Sequence, residues 1–397
     1  MSAVTSVLIV GASAGGLATA EALRRKGYTG SLTLLGAERE LPYDRPPLSK
    51  QVLSGAWEPR RAALRSAEAL AALDAEFVLG DPAIGFDACR REATTTAGRT
   101  LTADAVVIAT GVTARILPAQ RGIRGTHVVR NLEDATALRA GLLSARRVVV
   151  IGDGVLGAET AATARQMGLD VTLAGPQPAP MTEQLGPLVA GRLADLHRRN
   201  GVVVRGGVLL DTLHTRGDAV TGVRLSDGTD LEADVVITAV GCTPATGWLG
   251  NSGLRLDDGV VCDAYCRAAE GVWAVGDVAR WHHEGLGRLL RLENRTNASE
   301  QALAVASDIL GSGRPYMPVP YYWTDQFDAR LQVHGIASAG ARAEIVEGDP
   351  HEGRFLVRYE GLRGPESVLG WNMPRQTRLQ RAHLVDHHTR PQRSVTP

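Results

Sequence analysis

Ser6-Val7-Leu8-Ile9-Val10-Gly11-Ala12-Ser13-Ala14-Gly15-Gly16 is the stretch on which the fold turns. Apolar residues follow one another without alternation from Val7 to Val10, the pattern of a parallel strand buried on both faces. From Gly15 to Arg25 the spacing is helical, with small residues at Ala18, Ala20 and Ala22. Gly11 supplies the tight turn between them. The amides of Ala14, Gly15 and Gly16 then stand at a helix N-terminus, where unpaired N–H groups and the helix dipole favour a pyrophosphate. Ser13 occupies the second glycine position with a side chain small enough to be tolerated. Glu38 follows the strand-like Ser31-Leu32-Thr33-Leu34-Leu35, 22 residues beyond Gly16, where an acid bonds ribose hydroxyls.

The same grammar recurs 141 residues later. Arg147-Val148-Val149-Val150-Ile151 precedes Gly152-Asp153-Gly154-Val155-Leu156-Gly157, and a helix is predicted to about Gln166. Here all three glycines are kept and the acid is missing: after Asp170-Val171-Thr172-Leu173 the corresponding position is Gly175, with neither Glu nor Arg beside it. Glu there favours NADH and Arg holds the 2′-phosphate of NADPH, so the choice stays open. Two loops imply two dinucleotides, one the nicotinamide fuel and the other a flavin relay. A flavin-dependent oxidoreductase is the first expectation.

Composition fits such an enzyme. A length of 397 residues suits two or three domains. The 43 acidic and 43 basic residues cancel, which argues against a general nucleic-acid binder. The N-terminal apolar run lacks a basic leader and is too short to span a bilayer, so no membrane segment and a cytoplasmic location are expected. Cys89, Cys242, Cys262 and Cys266 form no Cys-x-x-Cys pair and read as structural, with no metal site. Of the 43 basic residues only Lys26 and Lys50 are lysine. Lys50 closes the proline-stiffened Leu41-Pro42-Tyr43-Asp44-Arg45-Pro46-Pro47-Leu48-Ser49-Lys50, where a compact ammonium does what arginine's flat fork cannot; a solvated loop lysine is the alternative.

Taken with Val107-Ile108-Ala109-Thr110-Gly111, Glu159, Ala274-Val275-Gly276-Asp277-Val278-Ala279, Asn297-Ala298-Ser299-Glu300-Gln301 and Pro320-Tyr321-Tyr322-Trp323-Thr324-Asp325-Gln326, these segments resemble the flavin-containing ferredoxin reductases. That family includes relatives of the putidaredoxin and rubredoxin reductases that serve cytochrome P450s and Rieske-type oxygenases. The resemblance spans almost the whole chain in order. Its most specific parts are the runs Pro42 to Lys50 and Trp323 to Gln326.

The resemblance implies an α/β fold with two Rossmann-like dinucleotide-binding domains, as in glutathione-reductase-like flavoproteins, plus a small C-terminal α+β domain. An FAD domain would be split between 1–113 and 241–318. The NAD(P) domain, 114–240, would lie between the halves, and 319–397 would close over the flavin and meet the partner. Each half ends in a similar strand and glycine, Val106 to Gly111 and Val235 to Gly241. FAD and NAD(P)H are the implied cofactors, and a transiently bound iron–sulfur ferredoxin the implied partner. The oligomeric state is not read from the sequence.

Residue roles follow from the same resemblance. Gly11, Ala14, Gly15 and Gly16 would meet the FAD pyrophosphate and Glu38 its adenine ribose, with Arg45, Ala83 and Ala109 also on that cofactor. Arg130 would meet a phosphate or a flavin group, unless it is a surface arginine, and Asp277 the ribityl chain, unless it only caps its turn. Gly152, Gly154 and Gly157 would hold the nicotinamide dinucleotide. Lys50 would stand by the flavin N5, and Glu159 would orient the nicotinamide, pair with Lys50, or merely favour its helix dipole. Arg295 stands where many members carry an aromatic residue over the flavin; it would alter charge and stacking there, or point to solvent. Arg288, Arg291, Arg354, Arg358, Arg375 and Arg378 could form a basic rim for an acidic ferredoxin. A disulfide reductase needs a cysteine pair after the first helix, and none occurs before Cys89. A conformational switch with little turnover, or another pyridine-nucleotide-dependent flavin reductase, remains the alternative.

Overall fold

The computed structural model describes residues 4–362 and 364–389; the end of the last predicted segment, 390–397, lies outside the described residues. The opening apolar run is the strand Ser6–Val10, and Val7 to Val10 are each at most 2% exposed. It lies inside a six-stranded sheet in the order Arg267–Ala269, Val272–Ala274, Ala105–Ile108, Ser6–Val10, Ser31–Gly36, Glu76–Leu79. Only the pairing at the Arg267–Ala269 edge is antiparallel. Apolar strands buried on both faces need helices above and below, and Ala14–Arg25 with Arg295–Ile309 supply one such layer.

The second sheet repeats this with five parallel strands in the order Val203–Gly206, Asp170–Gly175, Arg147–Ile151, Val235–Thr238, Thr126–His127. In each half a three-stranded antiparallel meander, 83–102 in one case and 210–232 in the other, is inserted just before the strand Ala105–Ile108 or Val235–Thr238. The chain leaves the first sheet through Val112–Ala114 and returns through Cys242–Pro244, and these two strands pair antiparallel. Strands from residues 267–274 thus complete a sheet begun at residue 6, around a sheet that lies wholly between them in sequence.

Beyond residue 320 the chain forms a five-stranded antiparallel sheet, Tyr321–Gln326, Ala329–Gly335, Gly364–Trp371, Arg354–Gly361, Arg342–Asp349, followed by the helices Pro374–Gln380 and Ala382–Thr389. Its apolar face does more than close a lid. Leu331, Val333, Phe355, Val357 and Trp371 share one core with Leu185, Val189, Leu193 and Leu196 of the second half's long helix Thr182–Arg199 and with Met181 just before it. Tyr359 donates to Leu185 O at 2.6 Å and Tyr322 to Gln184 O at 3.2 Å, so its hydroxyls cap the same contact.

Candidate functional site

Both glycine loops open onto one cleft of about 1170 Å³. The turn at Gly152 has φ +108°, and a Cβ there would stand 2.2 Å from Ala239 O; Gly11 repeats this at φ +120° against Ala109 O. Only glycine takes such a backbone at so close an approach. Gly16 and Gly157 lie behind the cleft wall, each packing its helix onto the carbonyl of the turn glycine. Gly15 and Gly154 line the cleft, and a Cβ on Gly154 would meet nothing within 4 Å.

Neither loop helix begins with a side-chain cap: Ser13 and Gly154 make no such bond, and neither first turn holds an acidic residue. The unpaired amides at both starts are open to an anion. On the first loop's side two cations add to them. Arg45 donates to Arg130 O at 2.7 Å, and Arg130, 3.7 Å from Asp277, is driven toward its neutral form by burial and then by Arg45's charge. Two crowded guanidinium groups, paired with Glu38 and Asp277 and set beside free amides, fit a diphosphate. Asn131 places Arg130 by a reciprocal cap: Asn131 Oδ1 accepts from Asp134 N at 2.7 Å, while Asp134 Oδ2 accepts from Arg130 N at 3.0 Å. Asp277, its carboxyl held up by burial, is set by Gly276 N donating to Gln301 Oε1 at 2.8 Å.

A smaller hollow of about 300 Å³ joins the cleft at Ser13, Arg45, Ala109 and Arg130 and is lined by Glu38, Tyr43, Leu79, Ala83 and Trp248. Glu38 is held there by Arg45 Nη2 at 2.6 Å and by the Tyr43 hydroxyl, which itself accepts from Leu132 N at 3.1 Å. Carboxylate, apolar walls and adjoining phosphate cradle fit the adenosine half of FAD.

Deep in the main cleft Lys50 Nζ donates to Glu159 Oε2 at 2.7 Å, and their side chains are 13% and 7% exposed. Lys50 is no solvated loop residue. The turn Pro46–Ser49, started by two prolines, delivers it, and Thr163 Oγ1 clamps that turn through Ser49 O at 2.8 Å. Ser49 Oγ donates to the same Glu159 oxygen at 2.7 Å, while Thr324 Oγ1, from the C-terminal sheet, donates to Oε1 at 2.9 Å. Behind Thr324 stands Gln326, whose Nε2 donates to Thr324 Oγ1 at 3.0 Å and whose Oε1 lies 2.7 Å from His197 Nε2. His197 is fully buried with its pKa lowered by burial, and its Nδ1 has no partner. A neutral ring with the proton on Nε2 satisfies both facts.

Arg295 lines the cleft rather than pointing to solvent: its Nε donates to Asp44 Oδ1 at 2.8 Å and its Nη1 bonds Ser299. Trp323 also lines the cleft, stacked on Tyr321 with centroids 5.9 Å apart.

Two expectations need correction. Arg291 is not a rim arginine: 13% exposed, it lines the cleft, pairs with Asp258 and Glu293, and donates to Asp277 O at 3.3 Å. Arg358 is engaged by Glu360, which leaves Arg288, Arg354, Arg375 and Arg378 exposed. The sequence reading also missed Cys242 as a cleft residue. Its thiol is pushed up to about 12 by burial and by Glu293, so it is no thiolate. Cys262 and Cys266 are buried in the first core. Ser49, Tyr43 and Thr324 stood inside motifs already quoted, but their roles depend on contacts more than 80 residues away in the chain. No helix among the described residues is long and apolar enough to cross a membrane.

Known proteins share this fold. Residues 5–302 match the pyridine nucleotide-disulphide oxidoreductase model, and residues 321–396 the reductase C-terminal model. Rhodocoxin reductase of Rhodococcus erythropolis is 33% identical over 385 residues, covering 96% of this chain and 89% of the relative. The ferredoxin–NAD(+) reductase component of the anthranilate 1,2-dioxygenase system of Burkholderia cepacia is 37% identical over 371 residues, 91% of this chain and 89% of that one. Among solved structures, the covalent putidaredoxin reductase–putidaredoxin complex aligns with a TM-score of 0.91 at 31% identity, covering 97% of this chain and 94% of the other.

Proposed function

The chain belongs to the pyridine nucleotide-disulphide oxidoreductase family, in the form that carries a reductase C-terminal domain, and from that premise we propose that it passes electrons from NAD(P)H through FAD to a ferredoxin-type iron–sulfur protein serving an oxygenase. Two relatives are named as ferredoxin or rhodocoxin reductases, and the aligned structure holds such a partner. The observation that carries the reading is the shared cleft, with two uncapped glycine-loop helices facing one space and the Lys50–Glu159 pair between them.

In this reading 1–113 with 241–318 hold FAD, 114–240 hold NAD(P)H, and 319–397 form the partner-facing domain of a cytoplasmic protein. Bound FAD supplies the chemistry, accepting hydride from the nicotinamide and releasing electrons singly. The side chains supply position and charge. The amides of Ala14 and Gly15 with Arg45 and Arg130 hold the diphosphate, Glu38 the ribose, and Asp277 the chain toward the ring. Gly152 and Gly154 seat the second dinucleotide. Lys50 holds its ammonium toward the reacting face, where positive charge favours an electron-rich ring, and Glu159 fixes that ammonium while excluding water from its other side. Arg295 adds a second cation, anchored on Asp44.

Anaerobic stopped-flow mixing of the FAD-loaded protein with NADH and with NADPH tests the reading. Bleaching of the flavin by either nucleotide, followed by one-electron transfer to a ferredoxin, is expected. A protein that binds FAD and is bleached by dithionite but by neither nucleotide would instead be a nucleotide-binding switch.

A further inference from the structure

The strand Asp170–Gly175 ends without a side chain, and the room for one is taken. A Cβ on Gly175 would stand 2.2 Å from Cγ and 2.4 Å from Oδ2 of Asp153. Asp153 is the second residue of the second glycine loop, so its carboxylate reaches, from the neighbouring turn, the space into which a strand-end side chain would project. That strand end is where an acid meets the adenosine ribose in folds of this kind.

Gln177 fixes the carboxylate by donating from its backbone N to Oδ2 at 2.9 Å and from Nε2 to Oδ1 at 3.0 Å. The same amide's Oε1 accepts from Glu183 N at 2.7 Å, and Met181 N donates to Asp153 O at 2.8 Å. Residues 175–183 are thus clipped onto the glycine loop. A carboxylate has more lone pairs than these two donors occupy, and Asp153 still lines the cleft, as Glu183 does. Of the cations lining the cleft, Lys50, Arg130, Arg291 and Arg295 are engaged by Glu159, Asp277, Glu293 and Asp44, while Arg115 lines it with an exposed side chain, only its backbone N bonding Gly241 O. Arg205, opposite Ala174 on the next strand, is exposed, and its charge acts on Asp227.

We propose that Asp153 is the residue by which this chain selects NADH over NADPH, its carboxylate, backed by Glu183, bonding a ribose hydroxyl and repelling a 2′-phosphate. The inference rests on the second loop being the NAD(P)H site. A phosphate of nearly two negative charges placed against two carboxylates in a cleft makes a discrimination on the order of tenfold to a hundredfold.

Calorimetric titration of the FAD-loaded protein with NAD⁺ and with NADP⁺ reads the choice with no electron acceptor present. Binding of NAD⁺ about tenfold or more tighter is expected, with the ratio narrowed in Asp153→Asn chiefly through tighter NADP⁺ and with FAD content unchanged. Equal affinities in the unaltered protein overturn the proposal, as does an Asp153→Asn variant that keeps the original ratio. If that variant does not fold, Glu183→Gln carries the test, since its backbone N–H keeps the bond to Gln177: a narrowed ratio supports repulsion from this wall and an unchanged one overturns it. Failure of both nucleotides to bind would remove the wider reading of the second loop along with the proposal, whereas equal binding of both would remove the proposal alone.

Discussion

Among the described residues Glu159 carries more bonds than any other acid in the cleft, and they come from two distant parts of the chain, the neighbours Ser49 and Lys50 and the C-terminal Thr324. Taking away one partner of a buried ion pair leaves the other charge desolvated and unpaired, at a cost of about 3 kcal/mol or more. Glu159→Ala should therefore lower the urea unfolding free energy of the FAD-loaded protein by about 3 kcal/mol, and adding Lys50→Met should recover part of it; a loss under about 0.5 kcal/mol would place the pair effectively in water. Thr324→Val removes the only donor on Oε1 among the described residues while keeping the shape. Flavin bleaching by NADH should slow roughly tenfold through misplacement of Glu159 and Lys50, with FAD content unchanged and Thr324→Ser restoring the rate. A rate equal to the parent's would show that Ser49 and Lys50 position the carboxylate unaided. At this scale the sequence was legible where chemistry repeats locally. Gly11, Gly152 and Lys50 announced themselves through turn geometry and the scarcity of lysine, whereas Thr324 and Asp153 gain meaning only from partners 165 and 24 residues distant.

Among the elements, the strands flanking both glycine loops were readable to within a residue or two, because strands buried on both faces must be continuously apolar. Gly175 turned out to be the last residue of its strand. What no periodicity could reveal is that the C-terminal sheet docks on the helix Thr182–Arg199, since an amphipathic face shows that it needs a partner without showing which. The strand Ala329–Gly335 of that sheet brings a pH response. His334, stacked on Tyr321 with centroids 4.6 Å apart, is pushed down to about 4 by burial and then by Arg381 and Arg378. An unfolded histidine takes its proton near pH 6.5 and the folded one only near 4, so the unfolded chain binds more protons in between and stability falls as pH drops through that window. The urea midpoint should fall between pH 7 and pH 5, and by less in His334→Phe; an identical fall in the variant would assign the response to other groups.

For the molecule as a whole, the exposed arginines of the helix Pro374–Gln380 replace the cleft-lining Arg291 as the test of partner docking. Arg375→Glu with Arg378→Glu should lower ferredoxin-linked turnover several-fold at low ionic strength and leave ferricyanide reduction unchanged, the difference shrinking as salt screens the encounter. Equal losses with both acceptors would remove this face from the docking surface. The two-loop architecture was legible because each sheet signs itself with the same strand, turn and helix, and the return of the chain to its first sheet was implied by the family resemblance, with the paired endings at Val106–Gly111 and Val235–Gly241 in support. The interface between the second half and the C-terminal sheet was not, because it is written in side chains that read as ordinary core from either side.

The interleaving of the two sheets sets an order of assembly during synthesis. The strand Ala105–Ile108 finds its outer neighbour only when Val272–Ala274 is made, 164 residues later, a delay of roughly 8–33 s at ribosomal speed. All five strands of the inner sheet are complete by Thr238, so on the ribosome the later-starting half finishes first. In that interval the earlier half waits with an unpaired apolar edge, the kind of surface that invites a wrong partner. A chaperone that shields Ala105–Ile108 for those seconds would serve this protein better than one that acts on the released chain.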